Sequence, residues 1–199
     1  GYAGVCSPEG IMTADEYWEE WSCSRQLELT PDCVLAGREV AREVLIKLLE
    51  GDPSIIEVRA STKGEAIAFI LATMKTNQPE MSGRLVSTTL IIDGEDRFRS
   101  VSSSAQHALN LIVQFESTDP LGVATKNGHH VLVPLGADDV FSQESITLPA
   151  VDRNVLIEAL EASGLSRSKA STLTKESGHD ITILKKLLGF PSYGATWIK

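Results

Sequence analysis

From residue 55 onward the sequence alternates between two periods, and that alternation limits the available folds more than any other feature. Ile55-Ile56-Glu57-Val58 is a short apolar run that reads as a buried strand. Ile67, Ile70, Leu71 and Met74 then recur at helical spacing, in a helix that begins near Gly64. Leu85 to Ile92 reads as a second strand, closed by Asp93-Gly94-Glu95-Asp96, and residues 97–107 read as a serine-rich helix. Leu109 to Phe115, Pro120 to Lys126 and His130 to Leu135 continue as strand, short helix and strand. Strands separated by helix-length crossovers pair in parallel, and the crossovers cover both faces of the sheet. The predicted fold class is α/β, a mostly parallel sheet flanked by helices.

The flanks carry their own signals. Thr13-Ala14-Asp15-Glu16 is a capping-box signature, and it introduces Tyr17, Trp18 and Trp21 on one face of a short helix. That face needs a surface to pack on, either this domain or a missing neighbour. Residues 1–12, rich in Gly, Pro and Ser, are expected to be poorly ordered. After a polar stretch to Pro31, Val40, Val44, Leu45, Leu48 and Leu49 mark a helix that stops at Gly51-Asp52-Pro53. Beyond Gly136 a polar loop leads to Ile146-Thr147-Leu148-Pro149. Three helices follow at about 152–163, 166–177 and 180–189, punctuated by Gly164, Gly178 and Gly189. The expected division is an N-terminal segment over 1–33, an α/β core over 34–145, a helical lid over 146–190 and a tail over 191–199.

Charge and cysteine usage narrow the function. The net charge is −9. Residues 1–150 hold 22 acids against 11 bases, whereas 151–189 hold five acids and six bases. An acidic surface does not grip nucleic acid by counterion release, which needs clustered Lys and Arg. The longest apolar run, Ala66 to Met74, is far short of the ~20 residues that span a bilayer, so no membrane partner is expected. Cys6, Cys23 and Cys33 are odd in number and lack metal-ligand spacing, which suits reduced thiols in a cytoplasmic protein. The chain opens on Gly1 and not Met, so it is expected to be a piece of a larger protein, with that protein's other domains as its partners.

In an open α/β sheet, ligands bind beyond the carboxyl ends of the strands, so the first strand-to-helix turn is where a phosphate cradle belongs. Here it reads Arg59-Ala60-Ser61-Thr62-Lys63-Gly64-Glu65-Ala66. Aligned on the P-loop pattern G-x-x-x-x-G-K-[ST], Gly64 falls on the second glycine. Arg59 stands at the first glycine, Glu65 at the phosphate-binding lysine and Ala66 at the magnesium-binding hydroxyl. Opposite charges ~4 Å apart are worth about 4 kcal/mol at an effective dielectric of ~20, and Lys to Glu turns that attraction into a comparable repulsion. Lys63 is a nearby cation able to swing in as a substitute, and the missing hydroxyl would still leave a metal short of a ligand. The strand Leu90-Ile91-Ile92-Asp93 has the form of a Walker B strand, with Asp93 as the metal-holding acid; an acidic turn after a buried strand also occurs with no function.

Val34-Leu35-Ala36-Gly37-Arg38-Glu39, followed by an amphipathic helix, a strand and this turn, resembles the "GRE" lead-in of AAA+ and STAND-type P-loop NTPases. The Asp93 strand, the later strands and the run Ile146-Thr147-Leu148-Pro149-Ala150-Val151-Asp152-Arg153 into a helical lid are similar to the rest of that layout. The resemblance covers roughly residues 34–189. It implies a P-loop NTPase-like sheet with a three-helix lid and a degenerate Walker A motif, and it would place Arg38 near the base or phosphates. STAND-type proteins are large multidomain signalling switches, bacterial defence proteins among them. The resulting expectation is a pseudo-NTPase with no cofactor, acting as a scaffold, oligomerisation or regulatory module. The enzyme alternative is an atypical ATP or ADP binder with magnesium, using Arg38, Lys63, Gly64, Asp93 and a partner's arginine.

Other chemistries have thinner support. Ala170, Leu173, Ser177-Gly178, Ile183-Leu184 and Leu187 have helix-turn-helix spacing, but the candidate reading helix offers only Lys185 and Lys186 as cations. His129 and His130 would point to opposite faces of a strand, which does not suit one shared metal. No serine lies in a G-x-S-x-G elbow.

Overall fold

The computed structural model describes residues 10–25, 27–113, 115, 119–140 and 145–190. Among the described residues the sheet has six strands: β1 (Ile11–Thr13), β2 (Ile55–Arg59), β3 (Thr89–Ile92), β4 (Asn110–Val113), β5 (His130–Leu135) and β6 (Ser145–Thr147). Their order is β1-β3-β4-β5-β2-β6. Every pairing is parallel except β1 with β3, which runs antiparallel with Ile11 opposite Ile92. β2, which feeds the candidate turn, is therefore internal, with β5 and β6 parallel on either side.

Period-two alternation divides the strand side chains between two cores. Ile56, Val58, Ile91, Ile112 and Leu132 face a large cluster with the central helix α4 (Lys63–Lys75). Ile92, Leu111, Val113, Val131 and Val133 face a smaller one, closed by Phe98 of α6 (Glu95–Ser104) and Leu121 of α7 (Asp119–Lys126). α4 is buried from Glu65 to Met74, because the sheet lies on one side and four helices cover the rest. These are α1 (Ala14–Ser22), α2 (Pro31–Leu35), α3 (Glu39–Glu50) and α5 (Pro79–Ser87). An apolar run without amphipathic bias is what such a position requires.

The aromatic helix packs on this domain. Tyr17, Trp18 and Trp21 of α1 are buried in the α4 cluster, and the capping box forms, with Thr13 Oγ1 accepting from the Glu16 N–H at 3.2 Å. The same cluster runs on into α8 (Arg153–Ala162), α9 (Arg167–Glu176) and α10 (Ile181–Leu187) through Leu156, Leu160, Ala170, Leu173, Ile181 and Leu184.

The structure corrects the sequence reading at several places. Residues 10–12 are ordered, Gly10 as a bend with φ 71° and 11–12 as part of β1, because the sheet edge at β3 offers them backbone partners. The run from Leu85 to Ile92 splits into α5 and β3. Pro79 opens a helix at its first position, and Thr89 Oγ1 donates to Leu85 O across the junction. α6 begins at Glu95 and ends at Ser104, earlier at both ends than predicted. The short elements α2 and β6 carry no periodic pattern long enough to read. Of the five periodic residues in α3 only Leu45 and Leu49 are buried. Val40, Val44 and Leu48 are exposed along a groove of about 650 Å³ beside Ile146 and Pro149, because α3 lies at the sheet edge with one stripe facing inward.

Candidate functional site

β2 ends at Arg59, and the chain turns through Ala60-Ser61-Thr62 into α4. Thr62 is the N-cap of α4, its Oγ1 accepting from the Glu65 N–H at 3.1 Å. Glu65, at the third helical position, folds back into the turn. Its Oε2 accepts from the Ser61 backbone N–H and from Ser61 Oγ, both at 3.2 Å. Arg38 approaches the same oxygen from the α2–α3 junction, with Nη2 at 3.6 Å. The side chains of both charged residues are 3% exposed. A helix N-terminus with free N–H groups is a ready anion site, and here the chain's own carboxylate occupies it.

Arg38 is held on three sides. Nε donates to Pro149 O at 2.9 Å and Nη1 to Val34 O at 3.2 Å, while Nη2 faces Glu65. Burial pulls its pKa down, and the Glu65 charge pushes it back up.

The neighbouring cations are also committed. Arg59 Nη1 donates to Gly136 O at 2.7 Å and to Asp139 O at 2.6 Å, fastening the chain after β5 across the end of β2. Lys63 Nζ lies 3.7 Å from Asp139 Oδ2, which also accepts from the Gly136 N–H at 2.7 Å. Gly64 is covered by α1, for Tyr17 donates its hydroxyl to Gly64 O at 3.4 Å, and burial pushes the Tyr17 pKa upward. From the other side, Thr62 Oγ1 meets Thr182 Oγ1 of α10 at 3.2 Å.

The structure therefore gathers Arg38, Lys63 and Gly64 around one turn. It does not bring Asp93 there. Asp93 follows β3, and β4 and β5 stand between β3 and β2, a separation of about 14 Å at the usual strand spacing. The turn does not fit a triphosphate with magnesium: a carboxylate fills the anion position, no hydroxyl replaces Ala66, and Lys63 is paired elsewhere. Among the described residues no group of three His, Cys, Asp or Glu side chains is close enough to hold a metal ion.

Sequence reasoning placed Arg59, Ser61 and Glu65 in this turn without their contacts, and missed Tyr17 as part of the arrangement. One signal for Glu65 was present: Thr62-Lys63-Gly64-Glu65 is the same T-x-x-E pattern as Thr13 to Glu16. The contacts of Arg59 and Tyr17 span 77 and 47 residues and have no local signature.

Two other candidates resolve into packing. His129 Nδ1 accepts from the Leu109 N–H at 3.0 Å and its Nε2 donates to Ser102 O at 2.9 Å, so the buried ring clamps α6 to the start of β4. Lys185 of α10 points inward, its Nζ 3.9 Å over the Trp21 ring and 5.3 Å over Phe190. The chain matches no protein-family profile and no curated protein.

Proposed function

We propose that the chain is a degenerate AAA+/STAND-like NTPase-fold module that neither binds nor hydrolyses nucleotide and serves as a scaffold, oligomerisation or regulatory domain of a larger, multidomain protein. A mostly parallel sheet whose internal strand β2 feeds a turn and a buried helix supports the P-loop-like class, as does the three-helix segment that follows. One observation carries the loss of hydrolysis. The Glu65 carboxylate lies in the turn on the Ser61 N–H and beside Arg38, where a phosphate oxygen would otherwise be bound. The alternative set for an atypical binder has less support, since Lys63 pairs with Asp139 and Asp93 lies several strands away.

The test is thermal unfolding of the wild-type chain with and without millimolar ATP or ADP and magnesium. A ligand at ~100 times its dissociation constant adds about 2.7 kcal/mol, which at this chain length is several degrees. The expected result is no shift. A magnesium-dependent rise in Tm would show that another group has rebuilt the site and would overturn the proposal.

A further inference from the structure

We infer that Glu65 is the turn's own ligand: a tethered carboxylate replaces an oxyanion in a working anion cradle and, through Arg38, locks the α8–α10 segment to the sheet without any outside molecule. The inference rests on the proposed reading of the turn and adds what holds the segment in place.

The argument starts from the reach of the side chain. In the capping box of α1, Glu16 returns to the N–H of its own N-cap residue, Thr13, at 3.4 Å. Glu65 reaches one residue further, to the N–H and hydroxyl of Ser61, so its carboxylate lies deeper in the turn than capping requires. There it meets Arg38, which comes from a different part of the chain and is 3% exposed. A cation removed from water to that degree requires an anion beside it. The donors are thus those of an oxyanion site: a backbone N–H at a helix N-terminus, a hydroxyl and a guanidinium.

The same guanidinium reaches the helical segment. Arg38 Nε holds Pro149 O, and three residues later Asp152 caps α8 while donating its own N–H to Ala36 O at 3.0 Å. Thr62, beside the carboxylate, meets Thr182 of α10. An anion at this point is therefore coupled to both ends of the segment, and the sequence supplies that anion permanently.

Chemical rescue tests the inference. Thermal unfolding of wild type and Glu65→Ala is compared in chloride and in sulfate or inorganic phosphate at matched ionic strength. Sulfate and phosphate strengthen burial in any protein, so the double variant Arg38→Met with Glu65→Leu, whose pair is apolar, sets the generic response. Glu65→Ala is expected to unfold roughly 10 °C below wild type in chloride. Tens of millimolar phosphate or sulfate is expected to return at least half of that loss, with the double variant showing only the generic rise. Amide exchange in residues 153–162 and 181–187 is expected to speed up in Glu65→Ala and to slow again with the anion.

A Glu65→Ala response no larger than that of the double variant overturns the cradle. Rescue of Tm without restored protection of the two helices overturns the lock. Neither result touches the non-hydrolysing reading, which stands or falls on wild type with magnesium and ATP. Should Glu65→Ala not fold in chloride, its refolding yield in phosphate against chloride gives the same comparison, and Glu65→Ser repeats it.

Discussion

The strand-to-helix turns after β2 and β3 both leave the sheet at its carboxyl edge, and they are built in opposite ways. The β2–α4 turn has a threonine N-cap and a buried Arg38–Glu65 pair, with further contacts from α1, α10 and the chain after β5. The β3–α6 turn has Gly94 at its N-cap, with φ 94° and no side-chain cap. Its acids, Asp93, Glu95 and Asp96, are half-buried or exposed. Backbone closes it: the Asp93 N–H donates to Gly10 O at 2.9 Å, and Arg97 returns to Asp93 O at 3.1 Å. Gly10 has φ 71°, a backbone conformation that L side chains rarely adopt, which explains a glycine there. Equivalent places in a parallel sheet thus differ by what the side chains enclose. The turn with the conspicuous acids is the one in contact with water, and the turn with Glu65 at the position of a P-loop lysine is the one built around charge.

The largest expected effect comes from removing half of the enclosed pair. Arg38→Met leaves Glu65 buried without its cation, and breaking a buried pair in this way costs about 3–5 kcal/mol. Arg38→Met combined with Glu65→Leu should recover most of that loss, because apolar replacement of both partners is often neutral or stabilising. Urea unfolding of the four members of the cycle gives the coupling directly. A cost below about 1 kcal/mol for Arg38→Met would place the turn among ordinary surface sites and break the comparison.

How much of this was legible follows from how local each determinant is. The strands β2 and β5, the helices α3, α4 and α7 and the three C-terminal helices lie where periodicity put them, to within a few residues, since each carries its own apolar pattern. α5 was hidden because only Ser87 and Thr88 separate Leu85 and Val86 from the apolar β3, so the stretch reads as one run. β6 is a three-residue strand that exists because β2 offers it an edge. Within the site, Arg38, Lys63 and Gly64 were found as positions, and their partners were not. Glu65 at the position of a P-loop lysine reads as repulsion towards a phosphate only while its carboxylate is assumed to point outward. The structure turns it inward onto Ser61, 4 residues back, and onto Arg38, 27 residues back.

A smaller effect separates a half-buried pair from the fully enclosed one. Burial raises the Glu20 pKa from 4.5 to about 7 and lowers that of Lys185 from 10.5 to about 7, each offset in part by the other's charge. For Glu20 the raised value means stability present below pH 4.5 and lost as pH rises towards 7. For Lys185 the lowered value means stability gained as pH rises from 7 towards 10.5. The α1–α10 contact is therefore expected to contribute least near pH 7. Subtracting the unfolding free energy of Glu20→Gln with Lys185→Met from that of wild type, pH by pH, should leave a shallow minimum there. A flat difference would show that solvent screens the pair completely.

The smallest effect tests the open turn. Asp93→Asn removes a carboxylate that makes no hydrogen bond or ion pair among the described residues; the turn is closed by the Asp93 N–H and carbonyl, which the substitution keeps. The expected change is within about 0.5 kcal/mol, the range of surface substitutions. Neutralising Glu95 and Asp96 together should cost slightly more, because both lie in the first turn of α6 and each favourable dipole contact is worth roughly 0.3–1 kcal/mol. Salt then distinguishes the two turns. Exposed acids interacting with a helix end are screened within a Debye length of about 10 Å at 0.1 M, so the Glu95 and Asp96 effect should fade by 0.5 M sodium chloride. The Arg38→Met effect, measured on a pair 3% exposed, should persist at the same salt. If instead Asp93→Asn altered amide exchange in residues 60–66, the two turns would be coupled through β4 and β5, and the sharp division between them would have to be replaced by a single network along the carboxyl edge of the sheet.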